Sequence, residues 1–478
     1  MPTETSLERR PWALAAVSLA TLMAFLDNNI VNVALPSIQR DLGLTTSGLE
    51  WVVSAYVLVF AGLLLAGGRL ADAFGRKRFF VTGLFVFTAA SLTAGLAGTD
   101  AVLIAARAVQ GLGGALMMPA SLAVVSNAYT EPRQRNASIA LVTGVGALGL
   151  AIGPVVGGVL SQHASWGWIF LINVPLGIVT IGLSLWAVTE SRESVRTGLD
   201  VPGLVASSLM LTALTWALIE GSGHGWTSPE ILTAFAVAAA AALVFALIEQ
   251  RSSHPMIDLS LFRDPVFSGG IGTVMLWGFA LFGVYFFTSI YMQEVLGYSP
   301  TKAGLAFLPM ALCMVVAAIV SEPVAHALGA HRVVGLSMLL MAAGLAMVGL
   351  LGKDVSFVGL MPSFVLLGVG AGLTTPLTSS VMAALPDERA GLASAVFNAG
   401  REVAGLLGVT VIGAILTARQ NSDIRTGAAP LDAFLSGYRE ALLISAGLLV
   451  VGAVAGFLAL RGTPSAASDA ETPAVVPV

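Results

Sequence analysis

Apolar residues fall in long blocks along nearly the whole chain, separated by short clusters of Gly, Pro and charge and not by a polar-apolar alternation. Blocks of this length suit helices that cross a hydrocarbon layer, which needs about 20 apolar residues per crossing. Fourteen such runs are predicted, at 12–35, 49–69, 79–97, 101–125, 137–160, 167–188, 201–220, 230–249, 270–294, 303–325, 332–351, 356–380, 391–417 and 439–460. Helix is the expected form because each helix satisfies its own backbone groups inside lipid. The first run follows Glu8-Arg9-Arg10, contains Asp27 and lacks a small-residue cleavage site, so it reads as a retained span.

Composition removes the alternative of several soluble domains. Apolar residues make up 56% of the 478 and charged residues only 10%, against about 25% charged in a soluble fold. The expected class is an all-α, multi-pass membrane protein. Abundant Ala and Gly, with only three Lys (Lys77, Lys302, Lys353), point to a bacterial source and hence to the cytoplasmic membrane.

Placing the amino terminus in the cytoplasm puts fifteen basic residues on that side and six on the other, with Arg107 and Arg401 inside spans. That bias predicts both termini in the cytoplasm. The exception is a long connection, 418–438, whose arginines fall on the wrong side.

The chain also resembles itself. Gly111–Pro119 (GLGGALMMP) aligns with Gly368–Pro376 (GVGAGLTTP), and Leu70–Gly75 (LADAFG) with Val324–Gly329 (VAHALG). The repeat unit is six spans, so two extra helices lie between the copies. The expected divisions are a tail at 1–11, a six-helix bundle at 12–190, two inserted helices at 191–255, a second six-helix bundle at 256–461 and a disordered cytoplasmic tail at 462–478. Two pseudo-symmetric bundles predict a site between them near the midplane. The copies are unequal: Asp27 aligns with Leu281, Arg107 with Phe364 and Asp72 with His326. Buried charge is thus concentrated in the first half, which is expected to handle the coupling ion.

Four segments carry candidate chemistry. Asp27 lies within Leu26–Pro36 (LDNNIVNVALP); an acid in a span costs about 2.5–3.5 kcal/mol on insertion scales and generally serves a function. Arg107 and Gln110, in RAVQGLGG, share one helical face at i, i+3, and Asp27 and Gln110 are candidate acceptors for the guanidinium. Gly68–Arg78 (GRLADAFGRKR) joins the second and third spans. There Asp72 can take bonds from basic partners or sit at a neighbouring helix N-terminus, and Gly75 permits the tight turn, so the loop, with Gly68, Arg76 and Lys77, is expected to latch the halves together in one state. Gly149–Gly158 (GLAIGPVVGG) sets Gly149, Gly153 and Gly157 along one stripe beside Pro154 and Gly158, allowing another backbone to approach closely.

Together these segments resemble the major facilitator superfamily, over nearly the whole chain. Gly68–Arg78 resembles its signature between spans two and three, Arg107–Gly114 its proton-transfer motif in span four, and Gly149–Gly158 its antiporter motif, which in the family marks exporters. Fourteen spans, Leu26–Pro36, Trp168–Gly177 (WIFLINVPLG), Gly297–Pro300 (GYSP) and Asn398–Arg401 (NAGR) further resemble the drug:proton antiporters of fourteen spans. Asn29 stands where that family carries Thr, and Gly167 where it usually carries Arg. The resemblance implies proton-coupled export of amphipathic small molecules, antibiotics among them, by alternating access.

Secondary candidates follow. Glu402 is a second candidate proton or cation site. It is not expected to pair with Arg401, because neighbouring helical positions point about 100° apart. Phe25, Trp51, Tyr56, Phe282, Tyr285, Phe286 and Arg401 are candidates for a substrate pocket. Glu50 and Glu294, near span ends, read as solvated at the interface. Five histidines without ligand spacing and a single cysteine, Cys313, predict no metal site. The absence of a phosphate-cradling G-x-x-x-x-G-K-[ST] predicts no ATP-driven step. No cofactor and no nucleic-acid partner are expected; the partners are substrate, protons and lipid, and the chain is expected to work as a monomer. An importer or uniporter of the same fold, an intramembrane enzyme and a sensor without flux are the alternatives.

Overall fold

A computed structural model describes residues 8–192, 200–252, 255–385 and 387–461, the side chains of 387–391 excepted. The expected disordered tail at 462–478, and most of the tail at 1–11, lie outside the described residues. Among the described residues fourteen helices are long and apolar enough to span a membrane. They are α1 (Arg10–Leu42), α2 (Thr46–Phe74), α3 (Arg76–Gly95), α4 (Asp100–Ala128), α5 (Pro132–His163), α6 (Trp168–Ala187), α7 (Val201–His224) and α8 (Pro229–Arg251). After these come α9 (Pro265–Val295), α10 (Pro300–Leu328), α11 (Ala330–Leu350), α12 (Phe357–Ala383), α13 (Leu392–Arg425 in its fully described part) and α14 (Pro430–Ala459). No strand occurs among the described residues.

Local chemistry sets the helix ends. Thr45, Thr99, Ser228, Ser299 and Ser356 accept from a free N–H in the first turn of α2, α4, α8, α10 and α12, a capping role worth about 1 kcal/mol each. Proline opens α5, α8, α9, α10 and α14, where its missing N–H costs nothing.

The predicted spans are all present, but the 418–438 connection is not a long loop. α13 continues to Arg425 and α14 begins at Pro430. Their extensions are tied by Ser436 Oγ donating to Asp423 Oδ2 at 2.5 Å and by Arg419 Nε donating to Ser436 Oγ at 3.1 Å. Polar pairing of this kind lets helices run on past their apolar core.

An even number of spans brings the start of α1 and the end of α14 out on one face, here called the termini face; the other is the far face. Within the first half α1 packs on α5 and α6, and α4 on α2 and α3. The second half repeats this, with α9 on α13 and α14, and α12 on α10 and α11. The halves meet along two related seams, α5 against α10 and α2 against α13. The internal repeat thus reappears as a repeat of packing partners.

The inserted α7 bridges the second seam. Trp51 Nε1 on α2 donates to Glu220 Oε1 on α7 at 2.8 Å, and Asn421 Nδ2 on α13 donates to Ser222 Oγ at 2.9 Å. Near the far face the halves are directly joined. Thr301 donates through its backbone N–H to Gln162 (3.1 Å) and through its hydroxyl to the Gly158 carbonyl (3.2 Å). Gln293, in the widened last turn of α9, donates to the Val33 carbonyl at 2.8 Å.

Candidate functional site

Five side chains from four helices meet in the first half, all fully buried: Asp27 (α1), Ser91 (α3), Arg107 and Gln110 (α4) and Asn173 (α6). Arg107 Nη1 donates to Asp27 Oδ2 at 2.5 Å and to Gln110 Oε1 at 2.7 Å, while its Nε donates to the Val52 carbonyl of α2 at 3.1 Å. Asp27 Oδ1 accepts from Gln110 Nε2 (2.7 Å) and Asn173 Nδ2 (3.0 Å). Gln110 Nε2 also reaches Ser91 Oγ at 2.7 Å. The guanidinium lies over the Tyr56 ring, 4.5 Å from its centroid, with Phe170 on another side at 5.6 Å.

This arrangement suits an ionised carboxylate, since every polar neighbour of Asp27 donates and an ionised acid only accepts. It is also self-consistent as a buried ion pair, because both charges have further hydrogen bonds. Protonating Asp27 would replace an acceptor lobe by a donor and remove the charge that Arg107 faces. Arg107 would then hold only Gln110, the Val52 carbonyl of α2 and the aromatic faces.

The i, i+3 pairing expected of Arg107 and Gln110, and both acceptors suggested for the guanidinium, are present. Asn173 and Ser91 were not among the candidates. Asn173 had a weak signal, being the one amide in an otherwise apolar stretch at 168–179; Ser91 had none.

The glycine stripe of α5 does what its spacing predicts. A Cβ at Gly149 would crowd the Leu22 carbonyl of α1, at Gly153 the Asn29 side chain, and at Gly157 the Ile30 carbonyl. Gly158 points elsewhere, onto the Pro300 carbonyl of α10, while Gly304 of α10 is pressed on the Pro154 carbonyl. One motif therefore builds both an intra-half contact and the first seam between halves.

In the Gly68–Arg78 loop Asp72 takes the basic partner expected of it, and further contacts anchor the loop. Asp72 Oδ1 accepts from Arg76 Nε at 2.7 Å, Lys77 Nζ donates to the Leu185 carbonyl at 2.8 Å, and Glu190 accepts from the backbone N–H groups of Lys77 and Arg78. Gly75 has φ +125°, and a Cβ there would strike the Glu190 carboxylate. These contacts bind the loop to the end of α6 in its own half, because that end lies directly under the α2–α3 turn. The loop also reaches beyond its half through Arg69, which donates to the Pro255 carbonyl. Gly68 sits against Pro119 of α4.

Between the halves lies a cavity of about 60 Å³, lined among others by Phe25, Asn28, Asn29, Asn32, Trp277, Phe282, Tyr285, Arg401 and Glu402. Three expected pocket residues do not line it. Trp51 faces α7, Tyr56 is stacked on Arg107 and Phe60, and Phe286 packs on Phe287 in the far-face core. All sides of these spans are apolar, so composition could not say which face turns inward. Arg401 and Glu402 do pair, contrary to expectation: Arg401 Nη2 donates to Glu402 Oε1 at 2.8 Å. The long side chains bridge a 100° offset that the Cα–Cβ directions alone would not close. Glu50 is another correction; it is buried at 2% exposure, whereas Glu294 is exposed as expected. Among the described residues no cluster of potential metal ligands occurs.

The Major Facilitator Superfamily profile matches residues 17–409. The chain belongs to that superfamily. It is 33% identical over 479 residues to the puromycin resistance protein pur8 of Streptomyces alboniger, covering 98% of this chain and 95% of that one. It is 38% identical over 418 residues to the methylenomycin A resistance protein of Streptomyces coelicolor, covering 87% of each. Among solved structures, the POT family transporter PepTSo superposes with a TM-score of 0.70 at 13% identity, covering 96% of this chain and 98% of that one. A bacterial homologue of the lysosomal transporter Spinster, inward-facing and unoccupied, gives 0.68 at 17% identity, covering 97% and 98%. The protein is thus a multi-pass membrane transporter and not an enzyme.

Proposed function

We propose that this transporter exports amphipathic small molecules, antibiotics among them, across the bacterial cytoplasmic membrane in exchange for protons, using the superfamily's alternating access. The observation that carries the reading is the buried Asp27–Arg107 pair beside the inter-half cavity. A carboxylate with an Arg partner in a water-poor setting is a group whose protonation changes the force between two helices. Asn28, Asn29 and Asn32 lie on the same helix and face the cavity, so substrate and proton act on adjacent turns of α1. The relatives named for resistance to puromycin and methylenomycin A support outward movement.

The basic-residue bias makes the termini face cytoplasmic and the far face external. The far-face bonds of Thr301 and Gln293 then seal the outside in this conformation. A drug-sized pocket needs about 300–1,000 Å³, so the halves must separate at the cytoplasmic side to admit cargo. Proton uptake from outside at Asp27, followed by release inside, would drive the cycle; a single charge moving through 100 mV supplies about 2.3 kcal/mol. The chain works as a monomer in this scheme and takes no cofactor.

The test is expression in a host deprived of its own pumps, scored by puromycin tolerance and by puromycin uptake into everted vesicles. The wild type is expected to raise tolerance and load vesicles, and a protonophore to abolish both. Asp27→Asn is expected to be present in the membrane at normal level and inactive. Loading that persists in that variant, or after the gradient is collapsed, overturns the proposal.

A further inference from the structure

Glu50 is an acid that the scheme above does not use. It lies one turn into α2, 2% exposed, at the seam with α13, and its carboxyl is pressed against Gly413, where a Cβ would collide with it. In the described structure it accepts no hydrogen bond and meets no cation. The charge that acts on it is another acid, Glu220 of α7, which holds the neighbouring Trp51.

The other charged groups around this seam are engaged elsewhere. On α4, Arg107 turns to Asp27, Gln110 and the Val52 carbonyl. On α1, Asp27 is held by that same group, and Asp41 accepts from Trp166 Nε1 at 2.6 Å. On α13, Arg419 is half exposed and faces Asp423 and Glu440 at 3.3 and 3.5 Å. On α7, His224 lies 3.7 Å from Glu220, is 45% exposed, and leads towards Glu230 and the far-face water.

An isolated ionised carboxylate is too costly to bury, and such a group takes up a proton instead. We propose that Glu50 is a second proton-binding group, which must be neutral for the α2–α13 seam to close and whose ionisation favours the far-face-open state. The step is a simple one: with the seam open, the hydrated carboxylate takes one proton from far-face water and becomes the neutral acid that Gly413 can cover. On reopening it returns that proton to the same water. Glu50 therefore gates the seal without itself moving charge across the membrane. The inserted helices acquire a role, since α7 supplies the second negative charge that makes an ionised Glu50 incompatible with the closed seam.

The test reads shape and not transport, so it stands or falls independently of what is exported. Nitroxide labels replace the exposed Asp100 and Asp354 (Asp100→Cys, Asp354→Cys, with Cys313→Ser) at far-face loops of the two halves, in the full chain in lipid nanodiscs. The parent is expected to show a short separation in acid buffer and a growing long component in alkaline buffer. Glu50→Gln, a neutral isostere, should keep the short separation throughout. Glu220→Gln should fold normally and raise the ratio of short to long component about tenfold at a given alkaline pH, the equivalent of one unit of titration. Asp27→Asn should displace the ratio as a whole, Asp27 being the coupling acid of the proposed cycle, and still show the long component growing with pH. A response unchanged in Glu50→Gln, unchanged in Glu220→Gln, or lost in Asp27→Asn would overturn the proposal.

Discussion

Gly157 and Gly158 are adjacent in sequence and predict opposite phenotypes, because one faces α1 of its own half and the other faces α10 of the other half. In Gly158→Ala the added methyl would collide with the Pro300 carbonyl. Overpacking of a tight contact costs roughly 1–3 kcal/mol. Rigid backbone stands on both sides here, so no flexible side chain can yield. In the proposed cycle the seam between α5 and α10 opens when the far face opens, so this penalty falls on the sealed state alone. An energy of 1–3 kcal/mol that acts on one of two states moves their ratio by about 5–150-fold. Spin labels at Asp100→Cys and Asp354→Cys should therefore show a gain of the long separation at a pH where the parent is mostly sealed.

Gly157→Ala meets the Ile30 carbonyl instead, within a contact inside one half that the proposed cycle leaves intact. Its penalty should appear as a lower melting temperature in detergent, with the distance distribution unchanged. Gly304→Ala, pressed on the Pro154 carbonyl, should behave like Gly158→Ala. If Gly157→Ala and Gly158→Ala shift the distance distribution alike, the assignment of the two glycines to different contacts is wrong.

Three further outcomes follow from the geometry. Asn173→Ala removes one donor from Asp27 while Arg107 and Gln110 remain, so it should cost about 1–3 kcal/mol, read as a fall in thermal stability, with partial retention of export. Gly75→Ala forces a side chain at φ +125° against Glu190 and should destabilise by about 1–3 kcal/mol; limited proteolysis near 75–78 should accelerate. Phe282→Ala enlarges the cavity wall beside Gly405, and a susceptibility panel should show altered selectivity among drugs where Phe286→Ala shows only lower expression.

Much of this was legible in the sequence, and the reasons are specific. Asp27, Arg107 and Gln110 stand out because a charge or amide in an apolar block has few tolerable surroundings, so their meeting could be anticipated. The glycine stripe of α5 was legible because close approach is the use to which small residues at i, i+4 are put. What was not legible depended on which way an all-apolar helix turns and on contacts between distant segments. Tyr56 read as a pocket aromatic and instead supports Arg107. Glu50 read as an interfacial acid because it lies near the end of an apolar run; its burial comes from Gly413, far along the chain, and from the inserted α7. Arg401 and Glu402 looked unpaired because direction was judged from the backbone, while side-chain length decided the matter.

The inequality of the two halves now has a structural content. Where the first half has Asp27 and Arg107, the second has Leu281 on the cavity wall and Phe364 stacked on Phe307 at 5.4 Å. A charged pair changes its mutual force when a proton binds, whereas an aromatic stack does not. At these two positions the second half is apolar, and its own charged pair, Arg401–Glu402, sits on the cavity wall instead. On this argument, exchanging Leu281 for another aliphatic residue should alter which drugs are carried and leave proton dependence untouched. Asn173→Ala should do the reverse, shifting the pH at which export is half-maximal without changing the order of drug preference. A common response of both properties to either substitution would show that coupling and recognition are not divided between the halves.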